Sequence, residues 1–368
     1  MNTRYTLGIL TIHTSTQPPF PEARFFEQMT RVGNQEGIKI IVIHPDAINF
    51  NEKKVRGYHW NPNSGWTQIV TTIPEYIYDR CFYFGKTYHK RYKSNVEKLQ
   101  SLENVHFLGI GLKGKWQLNQ LIHSHPIFSS FLPPTEIVKN IEQVEIWLSR
   151  YPAIILKPIS GSLGIGIMKI TRKPGNEFSV VGRDYKNQPY THPFSSVAAV
   201  RGFLLPLMMK YRYLIQPYLS LSTKQGIPFD LRIFIQKDGS GQWTTTGKAI
   251  RAGKKNSITS NLHGGGKAYP FEPFLKQNFS EEVVEQIHSR ISIIEKLLPS
   301  YLEEQHGPLV ELGIDIGIDR EGTVWLIEVN SRPGRKIFEQ INDRKALNKS
   351  RTNPLYYAKY LIQSQIGG

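Results

Sequence analysis

"LVELGIDIGIDREGTVWLIEVNSRPG", residues 309–334, reads as two strands around the turn Asp319-Arg320-Glu321-Gly322-Thr323. A hairpin symmetric about Glu321-Gly322 sets Asp315 directly across from Glu328. Strand alternation places Glu328 and Asn330 on one face, with Trp325, Ile327 and Val329 on the other. Asp315 shares its face with Glu311, Gly313 and Gly317, while Leu312, Ile314, Ile316 and Ile318 point the opposite way. Two like charges directly opposite each other destabilise a strand pair. A hard dication with oxygen ligands relieves that conflict, and Mg²⁺ takes one or two carboxylates plus substrate phosphates. The bland alternative is a solvated acidic face. Against it stand Asn330 and the turn "SRPG" that follows.

A second stretch, "AIILKPISGSLGIGIMKI" (153–170), opens as a buried strand, sets Lys157 at the end of its apolar run, and then loops through glycines at 161, 164 and 166. It is not a Walker A loop, because the lysine precedes the glycines and a strand follows. Glycines let backbone N–H groups turn towards an anion, a nest for phosphate oxygens, and the lysine supplies a point charge. A plain glycine-rich hairpin with an edge lysine would look the same in isolation. "GIGLKG" (109–114) spells the dinucleotide fingerprint, but residues 128–132 read "FSSFL", with no acid where the ribose would need one, so it reads as a linker.

Around these stretches the chain alternates strands and helices. Leu7–Ile12, Ile38–Ile43, Ile77–Phe84 and Val105–Gly109 are strand candidates, with a helix around Glu22–Glu36 as in a βαβ unit. "NPNSGW" (61–66) is a turn. Helices are expected from Lys115, over 136–150, over 195–210, over 280–305 with Ser280 as cap, and over about 353–365. Residues 212–221 form a strand broken by Pro217, and "FDLRIFIQKDGSGQWTTTGKAIRAG" a hairpin turning at Asp238-Gly239-Ser240-Gly241.

At 368 residues the chain suits two or three packed domains. No apolar run approaches the roughly 20 residues that span a bilayer. The N-terminal apolar segment, Leu7–Ile12, reads as a first strand, not a signal peptide. One cysteine, Cys81, allows no intramolecular disulfide and reads as a buried thiol in a reducing, cytoplasmic setting. The 46 Lys+Arg against 30 Asp+Glu leave +16, which favours an anionic partner. The basic residues are dispersed, as in "KTYHKRYK" (86–93) and "GKAIRAGKKN" (247–256), so nucleic acid is not the expected partner. No Ser–His or Cys–His pair suggests a protein nucleophile.

Lys115, Lys157 with its glycine loop, "LIQPYL" (214–219), "DLRIFI" (230–235) and the Asp/Glu/Asn hairpin follow the order found in ATP-grasp enzymes, which the chain resembles. "DLRIFI…IRAG…SNLHGGG…GIDI…IEVNSRPG" looks especially like the glutamate ligases that extend a ribosomal protein and like glutathione synthetases. With "YDRC" (78–81) closing a first-domain strand, the whole chain resembles the YheC/YheD family of endospore-coat-associated proteins; the specific motifs cover about 110–345.

The resemblance implies an α/β (α+β) architecture, an ATP-grasp fold with an N-terminal α/β pre-ATP-grasp domain over 1–112. A central subdomain with the glycine-rich lid would follow over 113–212, and a C-terminal subdomain with the metal site over 213–368. It implies that Lys115 and Lys157 contact the α- and β-phosphates of ATP and that Ser160, Gly161, Ser162 and Gly164 close over them. Gln216, Tyr218 and Leu219 would meet adenine, with Pro217 departing from the pattern because it lacks an N–H, and Asp230 would meet ribose. Asp315, Glu328 and Asn330 would hold one or two Mg²⁺ (or Mn²⁺). Arg232 and Arg251 would meet the γ-phosphate or an acyl phosphate, supported by Asn261; His263 is read as a structural loop residue. The implied activity is an ADP-forming carboxylate–amine ligase acting through an acyl phosphate, on an acidic polypeptide or a spore-coat-related substrate. The alternatives are a coat-associated protein that binds ATP without turnover, and a kinase.

Overall fold

A computed structural model describes residues 5–82, 86–161, 164–254 and 266–366. Ser162, Asn261 and His263 lie outside the described residues. Three sheets follow one another along the chain.

The first is built from β1 (Tyr5–Leu10), α1 (Ala23–Gln35), β2 (Ile38–Asn49), β3 (Lys54–Asn61), β4 (Gly65–Thr72), β5 (Tyr76–Asp79), α2 (Lys86–Gln100) and β6 (His106–Gly109). Strand order is β4-β3-β2-β1-β5-β6, parallel from β2 to β6 with an antiparallel hairpin, β3–β4, added at one edge. Phe25, Phe26 and Met29 of α1 pack on Leu7, Ile9, Ile40 and Val42; Tyr92, Val96 and Leu99 of α2 pack on Leu10, Ile41, Ile43 and Ile77. A sheet covered on both faces explains why its central strands are continuously apolar. The expected strand 77–84 ends early, at Asp79; the Arg80 N–H still bonds the Leu10 carbonyl (2.8 Å) while its side chain meets charges of other elements. "NPNSGW" turns the β3–β4 hairpin, whose mixed strands carry no clean alternation.

The central unit holds α3 (Lys115–His123), α4 (Pro126–Ser129), β7 (Glu136–Ile137), α5 (Ile141–Arg150), β8 (Ala153–Pro158), β9 (Met168–Arg172), β10 (Phe178–Arg183), β11 (Pro189–Phe194), α6 (Val197–Lys210) and β12 (Tyr213–Pro217). Its antiparallel sheet runs β11-β10-β9-β8-β12-β7. Ile154, Leu156, Met168, Ile170, Tyr213 and Ile215 bury one face under Val144, Trp147, Leu148, Val200 and Leu204 of α5 and α6. By alternation Ile155, Lys157 and Lys169 face the other way.

The last unit holds β13 (Phe229–Lys237), β14 (Trp243–Ala252), β15 (Lys267–Pro270), α7 (Phe271–Asn278), α8 (Glu281–His306), β16 (Glu311–Ile318), β17 (Val324–Asn330), α9 (Lys336–Gln340) and α10 (Arg344–Ile366). The antiparallel sheet β15-β14-β13-β16-β17 buries Leu231, Ile233, Ile250, Leu312, Ile314 and Ile316 against Ile287, Ile291, Ile294 and Leu298 of α8. Ser280 stands at the α8 cap position, though its hydroxyl bonds no backbone N–H there. The C-terminal helix starts at Arg344, earlier than expected, carries Pro354 inside it, and returns to the first sheet, where Leu355, Ala358 and Ile362 join the α1 core.

Candidate active site

The hairpin β16–β17 sets Asp315 opposite Glu328 and Gly313 opposite Asn330, the pairing read from the sequence. The alternation read for β17 needs correction. A bulge between Asp315 and Ile316 inserts Ile327 as an extra residue. Val324, Leu326 and Val329 therefore all reach the core, and Trp325 does not share a face with Val329. Close packing holds the turn beneath the hairpin: a Cβ on Gly313 would sit 2.6 Å from the Pro333 side chain, so "SRPG" can fold back against the strand.

Protein cations lie against the paired carboxylates. Arg232, opposite Asp315 on β13, donates from Nε to Oδ1 (2.5 Å) and from Nη2 to Oδ2 (3.1 Å). Arg251 bridges Asp230 (2.6 Å) and Asp315 (3.0 Å). Lys115, at the first turn of α3, meets Glu328 at 3.1 Å. Burial alone would raise the Asp315 pKa, but Arg232 and Arg251 outweigh it and hold the carboxyl below its ordinary range.

Lys157 completes the cluster from the central sheet. Burial and the neighbouring Lys115 charge lower its pKa to about 8, against a pull upward from Glu328. The lysine of the glycine-loop strand is thus near enough to the carboxylate hairpin for their charges to act on each other. Gly164 and Gly166 turn the loop at φ 75° and 73°; a Cβ at Gly166 would press on Pro158 and Tyr185 at 2.9 Å. Ser160 and Gly161 are exposed at its rim.

Further along the cleft, the Gln216 amide donates to Thr135 Oγ1 (2.8 Å), and Lys169 Nζ lies 3.6 Å over the Tyr218 ring. The Tyr218 N–H is bonded to the Ala153 carbonyl (3.0 Å), and Pro217 has none, so an adenine edge would use carbonyls here or turn to Leu219.

One group of residues escaped the sequence reading. Arg80 and Glu311 are fully buried. Arg80 joins Glu22 (2.9 Å) to Glu311 (2.6 Å); Tyr78 donates to Glu311 (2.7 Å), and Arg335 closes the set on its other oxygen (2.6 Å). Next in sequence, Asp79 pairs with Arg332, two residues beyond Asn330. Three consecutive residues at the end of β5 thereby grip β16 through Glu311 and the turn after β17 through Arg332. The signals were an acid, Glu311, inside the apolar run "LVELGI", and an arginine closing a buried strand in "YDRC". Cys81 is buried, and burial pushes its thiol pKa up, as an inert thiol requires.

The oxygen donors of Asp315, Glu328 and Asn330 fit Mg²⁺, which accepts few protein carboxylates and fills its remaining positions with water and phosphate. Among the described residues no group of three or more His, Cys, Asp or Glu side chains is placed to hold a metal.

The family model for YheC/D like ATP-grasp proteins matches residues 104–361. The chain belongs to this family. A relative in Bacillus subtilis (strain 168), endospore coat-associated protein YheC, is 32% identical over 348 residues, spanning 94% of each chain. Among solved structures, D-cycloserine synthetase DcsG aligns with a TM-score of 0.53 at 11% identity, covering 97% of this chain and 99% of that one. A RiPP-associated ATP-grasp ligase of Chryseobacterium gregarium, in complex with ADP and a leader and core peptide, aligns at 0.52 and 13% identity, covering 95% and 96%. These likenesses show the ATP-grasp fold, whose enzymes are typically ATP-dependent ligases that use ATP and Mg²⁺. No helix among the described residues is long and apolar enough to cross a membrane.

Proposed function

We propose that this YheC/D-like chain is an ADP-forming carboxylate–amine ligase, with an acidic polypeptide or another spore-coat-related acid as substrate. The observation that carries the reading is the meeting of Lys157, Lys115 and Glu328, which joins a phosphate-binding loop to a metal-ligand hairpin. In this reading Lys115 and Lys157 hold the α- and β-phosphates, and Ser160, Gly161, Ser162 and Gly164 cover them. Gln216, Tyr218, Leu219 and Asp230 receive the nucleoside, with the units bounded near residues 112 and 212.

A divalent ion held by Asp315, Glu328 and Asn330 would neutralise phosphate charge. A substrate carboxylate oxygen attacks the γ-phosphorus and ADP leaves, giving an acyl phosphate. An amine then attacks the carbonyl carbon, loses a proton, and phosphate departs. Arg232 and Arg251 stand where planar, forked donors suit the transferring group, and the rate gain comes from positioning and charge stabilisation. The +16 balance and the peptide-bound ligase of similar fold support a polyanionic substrate. The coat association of the Bacillus subtilis relative supports a coat setting.

A second reading, nucleotide binding without turnover, has one observation in its favour: both oxygens of Asp315 are engaged by arginines. Incubation with Mg·ATP and cell extract separates the two. Ligase activity adds mass to a polypeptide or small acid and releases ADP and phosphate. Release of AMP and pyrophosphate, a stable phosphorylated product, or no mass change with bound ATP would defeat it.

A further inference from the structure

The cleft carries its own counter-ions. Among the described residues, three carboxylates, Asp230, Asp315 and Glu328, face three cations, Arg232, Arg251 and Lys115, in ion pairs of 2.5 to 3.1 Å. Asp315 has about four acceptor positions on its two oxygens, and guanidinium N–H groups occupy three of them. Arg232 reaches it from the adjacent strand in direct cross-strand register, and Arg251 is held to it through Asp230, so neither arginine is a loosely swinging neighbour. Lys115 meets Glu328 in a single, partly exposed pair at 3.1 Å.

We propose that Arg232, Arg251 and Lys115 are place-holding cations that keep a divalent ion out of the cleft until a nucleotide arrives with it. The inference rests on the ligase reading above and specifies how its site is gated. A bare dication would have to displace guanidinium groups from Asp315 and would add positive charge beside Arg232, Arg251, Lys115 and Lys157. A metal–triphosphate complex adds net negative charge and offers phosphate oxygens to the displaced cations. The exchange is then favourable only for the pair. The arginines pass from carboxylate to phosphate, and both are anionic partners that forked donors accept.

The test is Mn²⁺ binding to the full, nucleotide-free chain, followed by electron paramagnetic resonance or calorimetry. Wild type should bind Mn²⁺ weakly. Arg232→Met should strengthen that binding by about tenfold, the loss of a charge-assisted bidentate competitor, and Asp315→Asn should remove the gain. Lys115→Met alters a pair that is over a third exposed on the lysine side, so the fold should tolerate it, and it should give a smaller increase in the same direction. Equal or weaker Mn²⁺ binding in both Arg232→Met and Lys115→Met overturns the place-holder role, as does tight binding to wild type without nucleotide. Titration of wild type with Mn·ATP separates this outcome from failure of the ligase reading. If Mn·ATP binds and the substitutions leave metal-only affinity unmoved, the gating alone is wrong. Where Mn·ATP does not bind, the ligase reading falls and the gating with it.

Discussion

Raising the pH should loosen nucleotide binding through one side chain. Lys157 is half-buried, and desolvation together with the Lys115 charge lowers its pKa to about 8 in the folded protein. At pH 7 roughly nine molecules in ten carry the charged amine, and at pH 9 roughly one in ten. If the amine holds a phosphate, the dissociation constant for Mg·ATP should rise about tenfold between those pH values, or about 1.4 kcal/mol. At pH 9 binding should also take up close to one proton, seen calorimetrically as an enthalpy that changes with the buffer. Lys157→Arg, whose guanidinium stays charged throughout, should flatten both effects. Stability moves the opposite way. The unfolded chain keeps the ordinary lysine value, so between about pH 8 and 10.5 it holds more protons, and this group's contribution to stability rises with pH. An affinity that is flat from pH 7 to 9, or that falls equally in Lys157→Arg, refutes the assignment of this amine to phosphate.

The other predictions concern the same framework. Glu311→Gln should cost roughly 3–5 kcal/mol in urea unfolding, because Arg80 and Arg335 would share only Glu22 while buried; Asp46→Asn, at the exposed Arg91 pair, should cost under about 1 kcal/mol. Gly313→Ala forces a Cβ into Pro333, displacing the turn after Asn330, and should weaken Mg·ATP binding more than it lowers the melting temperature. Binding of an acidic polypeptide should weaken steeply as salt is raised towards about 1 M, where the screening length falls to about 3 Å; an affinity indifferent to salt would remove charge as the basis of substrate choice.

The hairpin was legible because two constraints coincide there. Strand alternation and turn symmetry fix Asp315 against Glu328 without any knowledge of the rest of the chain. The symmetry succeeded through compensation: pairing near the turn is shifted by one residue, and the bulge at Ile327 restores it. A bulge leaves no local sequence mark in "WLIEVN", so the facing of Trp325 could not be read. Lys157 was legible for a similar reason, as a charge ending an apolar run. The ion pairs were not legible, since Arg232 and Asp315 lie 83 residues apart and meet only when β13 pairs with β16. The clamp of Tyr78, Asp79 and Arg80 spans still more chain, and only packing of the first sheet against the last reveals it. The β3–β4 hairpin escaped because neither of its strands has one consistently buried face.

A crystal structure with Mn²⁺ and a non-hydrolysable ATP analogue tests the account most directly. It predicts an anomalous scattering peak among Asp315, Glu328 and Asn330, phosphate oxygens at Lys115 and Lys157, and Arg232 turned from Asp315 towards the γ-phosphate. A nucleotide bound elsewhere, or one in this cleft with the metal peak away from the hairpin, would contradict it.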